Sequence, residues 1–143
     1  MVAVSSCLVG VKCRYNGKDS YNPLILESLG ANYVVVCPEI LAGFGTPRAA
    51  CEIVGGSGED VLVGDARVVD KRGADITEAM INGARSALRI CIAGGVSKAY
   101  LQSRSPTCGC GEIYDGSFSN ALRPGNGIFA ALLKQRGIEV ISV

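Results

Sequence analysis

Ser105-Pro106-Thr107-Cys108-Gly109-Cys110-Gly111 is the stretch that decides the fold, because it follows the apolar run 96–101 and cannot itself form a strand or a helix. Pro106 lacks a backbone donor and fixes φ, and Gly109 and Gly111 accept backbone conformations in which a side chain would clash. The stretch therefore places two thiols on a stiff loop at the carboxyl end of a strand. Open α/β sheets bind their ligands at this edge.

Short apolar runs alternate with helical patterns along the chain. Asn22, Asp75 and Asn126 are the expected N-caps of three helices. Strands are predicted for residues 1–6, 34–36, 96–101 and 138–143, and helices for residues 23–29, 76–93 and 127–136. This alternation predicts an α/β fold, a single domain over residues 1–143 with a mostly parallel sheet flanked by helices in a Rossmann-like three-layer arrangement.

The middle of the chain does not follow that alternation. Residues 40–60 are rich in Gly and Pro and predict a long functional loop, since structureless loops of that length are otherwise uncommon. Residues 61–69 are apolar with a break at Gly64-Asp65, which predicts a small hairpin off the main sheet.

Charge and hydrophobicity exclude several classes of protein. The 143 residues include 14 basic and 13 acidic side chains, and 48% are hydrophobic, which favours a compact globule and makes free RNA an unexpected partner. No uncharged apolar run approaches the roughly 20 residues of a membrane span. The first residues lack the basic region of a signal peptide, so we expect a cytoplasmic protein.

The chain has seven cysteines and no histidine, which limits the metal sites and the catalytic mechanisms that it can have. Without an export signal, a reducing compartment and thiolate-bound metal are favoured over disulfides. The lack of histidine excludes mixed Cys/His zinc sites and histidine-based catalysis. No C-x-x-C pair occurs, so the usual zinc-ribbon and ferredoxin spacings are absent as well.

Cys7, Cys37 and Cys108 share a position, because each comes directly after an apolar strand. The carboxyl ends of parallel strands meet at one edge of a sheet, so we expect these three thiols to form one site. A cysteine can also be a small buried hydrophobe, and Cys91, on the apolar face of the long helix, is expected to lie in the core.

A site with three thiolates has a specific consequence. An iron–sulfur cluster normally takes four cysteines, so a cluster held by three has one open iron, a Lewis acid suited to a soft sulfur ligand. Cys13, Cys51 and Cys110 lie in loops near the candidate ligands, and each is open as a fourth ligand, a sulfur acceptor or a bystander.

Polar side chains beside these thiols are candidates for catalysis and binding. Glu39 follows Cys37 by two residues, and Ser105 precedes Cys108 by three. The alternatives are an ordinary solvated carboxylate and a turn-stabilising hydroxyl. Basic side chains that flank the three loops are candidates to clamp an anionic group, or are surface charges: Arg14, Arg48 and Arg104.

Four motifs occur in order along the whole chain: Ser6-Cys7-Leu8-Val9-Gly10 with Arg14-Tyr15-Asn16-Gly17, Cys37-Pro38-Glu39-Ile40-Leu41-Ala42-Gly43 with Pro47-Arg48, Ser103-Arg104-Ser105-Pro106-Thr107-Cys108-Gly109, and Ile113-Tyr114-Asp115-Gly116. Together they resemble the thiouracil desulfidase family. The resemblance implies a [4Fe-4S] enzyme that replaces the sulfur of a thiolated pyrimidine with oxygen, without net redox change. The sequence departs from the family pattern at Asn16, at Thr107 and in residues 47–52.

The resemblance also implies roles for single residues. The cluster ligands would be Cys7, Cys37 and Cys108, with one iron not bound by a cysteine, and Glu39 and Ser105 would assist catalysis. Candidates for binding the substrate are Ser6, Arg14, Arg48 and Arg104.

The expected substrates are 2-thiouracil, 4-thiouracil or 4-thio-UMP. A nucleotide would need a phosphate site, for which the loop arginines and the helix N-terminus at Asn126-Gly127 are candidates. Two other functions fit the thiols: a non-catalytic module that binds a metal or cluster through thiolates, and a hydro-lyase that uses an open-iron [4Fe-4S] cluster.

Overall fold

A computed structural model describes residues 1–143. The strands are β1 (Val2–Ser5), β2 (Tyr33–Val36), β3 (Cys51–Val54), β4 (Arg67–Asp70), β5 (Lys98–Leu101), β6 (Glu112–Tyr114), β7 (Leu122–Pro124) and β8 (Glu139–Ser142). The helices are α1 (Pro23–Leu29), α2 (Pro38–Leu41), α3 (Gly58–Leu62), α4 (Thr77–Ala93) and α5 (Ile128–Gln135), and a 3₁₀ turn spans Ser6–Val9. No helix is long and apolar enough to cross a bilayer.

A four-stranded parallel sheet lies at the centre, in the order β2-β1-β5-β8. Successive side chains of a strand point to opposite faces. Ala3 and Ala99 accordingly pack into the larger core with α4 and α5, while Val4 and Tyr100 pack with Leu29 of α1 on the other face. The predicted fold class, a parallel sheet between two helical layers, is confirmed.

The predicted helix starts are right for one helix and displaced for two. Asn22 caps α1, because its side chain accepts the N–H of Ile25. α4 begins one residue later than predicted, and Asp75 instead accepts the backbone N–H and the hydroxyl of Thr77. Asn126 is not the cap of α5, because its amide bonds to Glu59 and to the backbone N–H of Gly111.

The predicted long loop over residues 40–60 is wrong, because α2, β3 and α3 lie within residues 38–62. The hairpin predicted for 61–69 is also wrong in its limits: β4 pairs antiparallel with β3, with Cys51 opposite Asp70 and Val54 opposite Arg67. Residues 61 and 62 belong to α3, which begins with a capping box between Ser57 and Asp60. These elements have only four or five residues each, too few for a periodic pattern to stand out.

Candidate functional site

Three chain segments meet at the carboxyl edge of β2, β1 and β5, which are neighbours in the sheet. They bring Cys7, Cys37 and Cys108 to the wall of one cavity of about 280 Å³. The other side chains predicted for the site line the same cavity: Ser6, Arg14, Glu39, Arg48, Arg104 and Ser105. The structure thus brings the three strand-end cysteines together at one cavity.

The loop that contains Cys108 is held by its own hydrogen bonds and by α5. The Ser105 hydroxyl accepts the backbone N–H of Cys108 at 2.7 Å, and the Ser105 carbonyl accepts that of Gly109 at 3.0 Å. The carbonyls of Pro106 and Thr107 accept the N–H groups of Ile128 and Phe129 at 2.8 and 2.9 Å. The first donors of α5 therefore fix the loop. The suggested phosphate site at Asn126-Gly127 is wrong, since these donors are already used.

Close backbone contact between this loop and α5 depends on Gly127. A Cβ at Gly127 would lie 2.5 Å from the carbonyl carbon and oxygen of Thr107. Its N–H also donates to the carbonyl of Gly109 at 2.7 Å. No side chain larger than hydrogen fits there without moving the Cys108 loop.

The thiols of the site are reduced and largely buried. No cysteine forms a disulfide. The exposed fractions of Cys7, Cys13 and Cys108 are 6, 5 and 7%, and Cys37 is partly buried. Burial raises the pKa of Cys108 to about 12. The neighbouring Cys13 thiol, and then burial, raise the pKa of Cys37. Metal binding at this site would therefore release protons.

This donor set suits a cluster. The thiols surround the cavity, and no three His, Cys, Asp or Glu side chains lie close enough together to hold one metal ion. A [4Fe-4S] cluster takes its thiolates on separate iron atoms, so it does not need three donors that converge on one metal ion. Soft thiolates are also the ligands that such clusters require.

Both carboxylate oxygens of Glu39 accept a hydrogen bond. Arg48 Nη2 donates to Oε2 at 3.2 Å, and the Cys51 thiol donates to Oε1 at 3.4 Å. The Arg48 and Glu39 side chains are only 10 and 16% exposed, so this ion pair lies largely out of water. Burial, and then the Glu39 carboxylate, raise the pKa of Cys51, which keeps its thiol protonated as a donor. Glu39 is thus not an ordinary solvated carboxylate.

Arg48 has one buried side-chain nitrogen without a hydrogen-bond partner in the protein. Its Nη1 donates to the Gly45 carbonyl at 3.2 Å and its Nη2 to Glu39, while the buried Nε has no partner. A buried donor without an acceptor is costly, about 1–3 kcal/mol, unless a ligand or water supplies the acceptor. The Arg48 side chain lines the cavity, but its Nε itself is buried among protein atoms.

Ser105 has the turn-stabilising role that the alternative interpretation predicts, and it also lines the cavity. Its hydroxyl lies 3.3 Å from that of Thr107, which in turn donates to Cys108 Sγ at 3.8 Å. Thr107 is 1% exposed. The three side chains form a short chain of hydroxyl and thiol groups along one wall of the cavity.

The structure distinguishes the cysteines that the sequence left open. Cys13 lines the cavity with its thiol beside those of Cys7 and Cys37. Cys51 also lines the cavity and bonds to Glu39, whereas Cys110 is half-buried outside it. The expectation that Cys91 lies in the core is confirmed, since it is fully buried against the other core residues.

Glu52 is a buried carboxylate in the cavity wall that sequence reasoning missed. It is 8% exposed, and its Oε1 accepts the N–H groups of Gly116 and Phe118 at 2.9 and 3.2 Å. It thereby anchors the hairpin of β6 and β7, which was not predicted and which brings Tyr114 and Asn120 to the cavity. The sequence signal that could have identified Glu52 is its position: it ends the run 47–52 and lies in β3, two residues before the end of that strand.

The fold and the cavity together define a class: a three-layer α/β protein in which free thiols from three neighbouring strand ends line one pocket beside a buried Glu–Arg pair. The chain belongs to the 2-thiouracil desulfurase family, whose model matches residues 2–143. The family membership predicted from the four motifs is thus confirmed.

Two relatives extend this result. The chain is 46% identical over 143 residues to "uncharacterized protein YbbK" of Bacillus subtilis (strain 168), covering 99% of this chain and 95% of that protein. It also resembles the solved structure of a "[4Fe-4S]-dependent thiouracil desulfidase TudS", with 36% identity and a TM-score of 0.83. That match covers 99% of this chain and 89% of the TudS chain.

Proposed function

We propose that residues 1–143 form a single [4Fe-4S]-dependent desulfidase domain, which converts a thiolated pyrimidine to its oxo form and releases sulfide. The observation that carries the proposal is the arrangement of Cys7, Cys37 and Cys108 around one cavity that also contains Glu39. Membership of the 2-thiouracil desulfurase family and the likeness to TudS support it. The seven free thiols are in keeping with a reducing compartment such as the cytoplasm.

In this proposal Cys7, Cys37 and Cys108 hold the cluster. When bound, the cluster would supply an open iron that acts as a Lewis acid towards the thiocarbonyl sulfur and makes the ring carbon electrophilic. The residues of the chain then have to position the ring, activate water and move protons.

Glu39 is the proposed acid–base residue. As a general base it would take a proton from the attacking water, or it would pass that proton to a ring nitrogen. Arg48 and Cys51 hold both of its oxygens, so the carboxylate has a fixed orientation in the cavity. The oxygen of water forms a bond to the ring carbon, and the carbon–sulfur bond breaks with its electron pair on sulfur. The exchange is hydrolytic and needs no oxidant or reductant.

Arg48 is the proposed anchor for the pyrimidine ring. Its Nη1 and Nη2 each have a second hydrogen beyond those given to Gly45 and Glu39, and these can donate to the remaining carbonyl oxygen of a thiouracil. Ser6 and Ser105 line the same cavity and can donate or accept around the ring. Ser105 can also relay a proton from Glu39.

Arg14 and Arg104 are the proposed contacts for a nucleotide phosphate. Arg104 is exposed and Arg14 is half-buried, and both line the cavity. A free base would fill the interior near Arg48, whereas the phosphate of 4-thio-UMP would lie towards these two arginines. Comparing free bases with the nucleotide therefore identifies the preferred substrate.

The test is anaerobic reconstitution with iron and sulfide, followed by incubation with 2-thiouracil, 4-thiouracil or 4-thio-UMP. Release of sulfide together with formation of the oxo product supports the proposal. A brown protein that releases no sulfide from any of the three contradicts the proposed activity and favours the hydro-lyase. A colourless protein that retains zinc contradicts the cluster and favours a structural thiolate module.

A further inference from the structure

We infer that Glu52 determines which pyrimidines bind: its carboxylate accepts the N3–H of a uracil-type ring and discriminates against cytosine-type rings, whose N3 has no hydrogen. This inference rests on the proposed function and adds a residue to its substrate-binding site. It concerns the choice of the ring, whereas the cluster and Glu39 concern removal of the sulfur.

The carboxylate of Glu52 has one oxygen that the protein uses and one that it leaves free. Oε1 accepts the backbone N–H groups of Gly116 and Phe118 at 2.9 and 3.2 Å, and no protein group donates to Oε2. Oε2 is not fully buried, since Arg48 Nε is the one fully buried side-chain polar atom without a partner. Glu52 is 8% exposed and lines the cavity. Of the two oxygens, Oε2 is therefore the one available to a ligand there.

No basic side chain neutralises the Glu52 carboxylate. The ion pairs of the structure are Arg48–Glu39 and Lys98–Glu139, and Glu52 belongs to neither. A hydrogen bond to an ionised acceptor is roughly twice as strong as one between neutral groups. Oε2 is thus a strong acceptor for an N–H of a ligand, and it repels a lone pair in the same place.

Glu39 is not available for this contact. The cavity wall contains two carboxylates, Glu39 and Glu52. Both oxygens of Glu39 already accept hydrogen bonds, one from Arg48 and one from Cys51. Glu52 directly follows Cys51 in β3, and both residues line the cavity. Glu52 is therefore the carboxylate that remains for the ring.

The candidate substrates share the edge that such a wall recognises. In 2-thiouracil, 4-thiouracil and 4-thio-UMP, N3–H lies between the thiocarbonyl carbon and the carbonyl carbon. A ring whose sulfur faces the cluster therefore presents N3–H next to the sulfur and the carbonyl oxygen beyond it. Arg48 has donors for that oxygen, and Glu52 has the acceptor for N3–H. In 2-thiocytosine the lone pair of N3 would face the charged carboxylate instead.

Glu52→Gln separates this role from the anchoring of the hairpin of β6 and β7. The two backbone N–H groups hold the amide oxygen at the position of Oε1, because an NH2 group there would meet two donors. The hairpin contacts thus stay, and the NH2 group replaces Oε2. A donor then occupies the position of the acceptor, which opposes N3–H and favours an unprotonated N3.

Binding of 2-thiouracil and 2-thiocytosine to the anaerobically reconstituted protein, measured by isothermal titration calorimetry, tests the inference. We expect wild type to bind 2-thiouracil at least about tenfold more tightly, as one hydrogen bond to a charged group predicts. In Glu52→Gln we expect the Kd of 2-thiouracil to rise about tenfold and the preference to disappear or reverse.

Glu59→Gln is the matched control. Glu59 bonds to Ser57 and Asn126 and does not line the cavity, so this variant should keep the preference of wild type. An unchanged preference in Glu52→Gln would overturn the inference. An effect of Glu52→Gln on 4-thio-UMP alone, with the free bases unchanged, would assign Oε2 to the ribose hydroxyls and would overturn it as well.

Methylated bases give a second measurement that needs no variant. In 3-methyl-2-thiouracil the hydrogen on N3 is replaced, whereas 1-methyl-2-thiouracil keeps it and has its methyl group where a nucleotide has ribose. We expect wild type to bind the 3-methyl base at least about tenfold more weakly than the 1-methyl base. Equal affinity for the two methylated bases contradicts the inference.

Failure of the inference and failure of the proposed function give different results. A protein that binds neither 2-thiouracil nor 2-thiocytosine contradicts both. A protein that releases sulfide from 2-thiouracil but binds the two bases equally contradicts only the role of Glu52. A protein with the expected binding preferences but no sulfide release contradicts only the proposed activity.

Discussion

The two walls of the cavity are built in different ways. On one wall the Cys108 thiol is positioned by the backbone, since the loop after β5 bonds to the first N–H groups of α5. In another part of the cavity wall, Glu39 is positioned by the side chains of Arg48 and Cys51. The Cys108 thiol and the Glu39 carboxylate thus depend on different contacts. Binding of the cluster and turnover should therefore be separable by mutation.

Replacing the ligand on the backbone-fixed wall should have the largest effect. Cys108→Ala removes one of three proposed thiolates, and we expect loss of both the cluster and the activity. Iron and sulfide analysis with the visible absorption spectrum measures the first, and sulfide release the second. Cys110→Ala, two residues away and outside the cavity, is the matched control and should keep both. A fully loaded Cys108→Ala protein would remove Cys108 from the ligand set.

Glu39→Gln should lower the catalytic rate without affecting binding of the cluster. The amide keeps the size of the side chain but cannot act as a base at neutral pH, so we expect kcat to fall by about 10²- to 10⁴-fold while the iron content stays that of wild type. Steady-state kinetics at equal cluster loading measure this. Activity equal to wild type would exclude Glu39 as the acid–base residue, and loss of the cluster would show that the two walls are not independent.

Gly127→Ala tests the packing behind the Cys108 loop. Its methyl group would meet the Thr107 carbonyl, so we expect a loss of unfolding free energy of about 1–3 kcal/mol, with weaker retention of the cluster. Urea denaturation of the reduced, cluster-free protein gives the first number. Gly45→Ala is the control, because Gly45 has open space around it and no left-handed φ. If both variants are equally stable, the contact with α5 does not hold the loop.

Cys51→Ala should have the smallest effect. It removes the hydrogen bond to Glu39 Oε1 while the Arg48 bond to Oε2 remains. We expect kcat to fall about fivefold, the equivalent of roughly 1 kcal/mol, at unchanged iron content. Kinetics on samples of matched iron content would detect this. A loss of iron would instead make Cys51 a cluster ligand.

The parallel sheet and the cysteines at the carboxyl ends of its strands were predictable, because both depend on local sequence patterns. Contiguous apolar runs identify β1, β2 and β5, and the carboxyl-edge rule then groups Cys7, Cys37 and Cys108. No rule of that kind applied to α2, because it has only four residues and lies where Gly83 of α4 lets the backbone of Pro38 come close. A contact between residues so far apart in the chain has no signature in one sequence.

The contacts between side chains in the site were harder to predict than the residues that belong to it. Glu39 and Arg48 were each candidates, but their ion pair depends on the turn between them and on the backbone bond from Arg48 to the carbonyl of Tyr15. The same holds for Asn126, whose side chain bonds to Glu59 and Gly111 in place of the helix end that its position suggested. In both cases tertiary contacts outweigh the local preference.

The central claim is that three strand-end thiols hold a cluster that removes sulfur from a pyrimidine. Its most direct test is to measure iron content and sulfide release from 2-thiouracil on the same anaerobically reconstituted sample. The account predicts about four irons per chain and catalytic sulfide release that falls in proportion as iron is removed by a chelator. Sulfide release that persists at the same rate in the iron-free protein would contradict it.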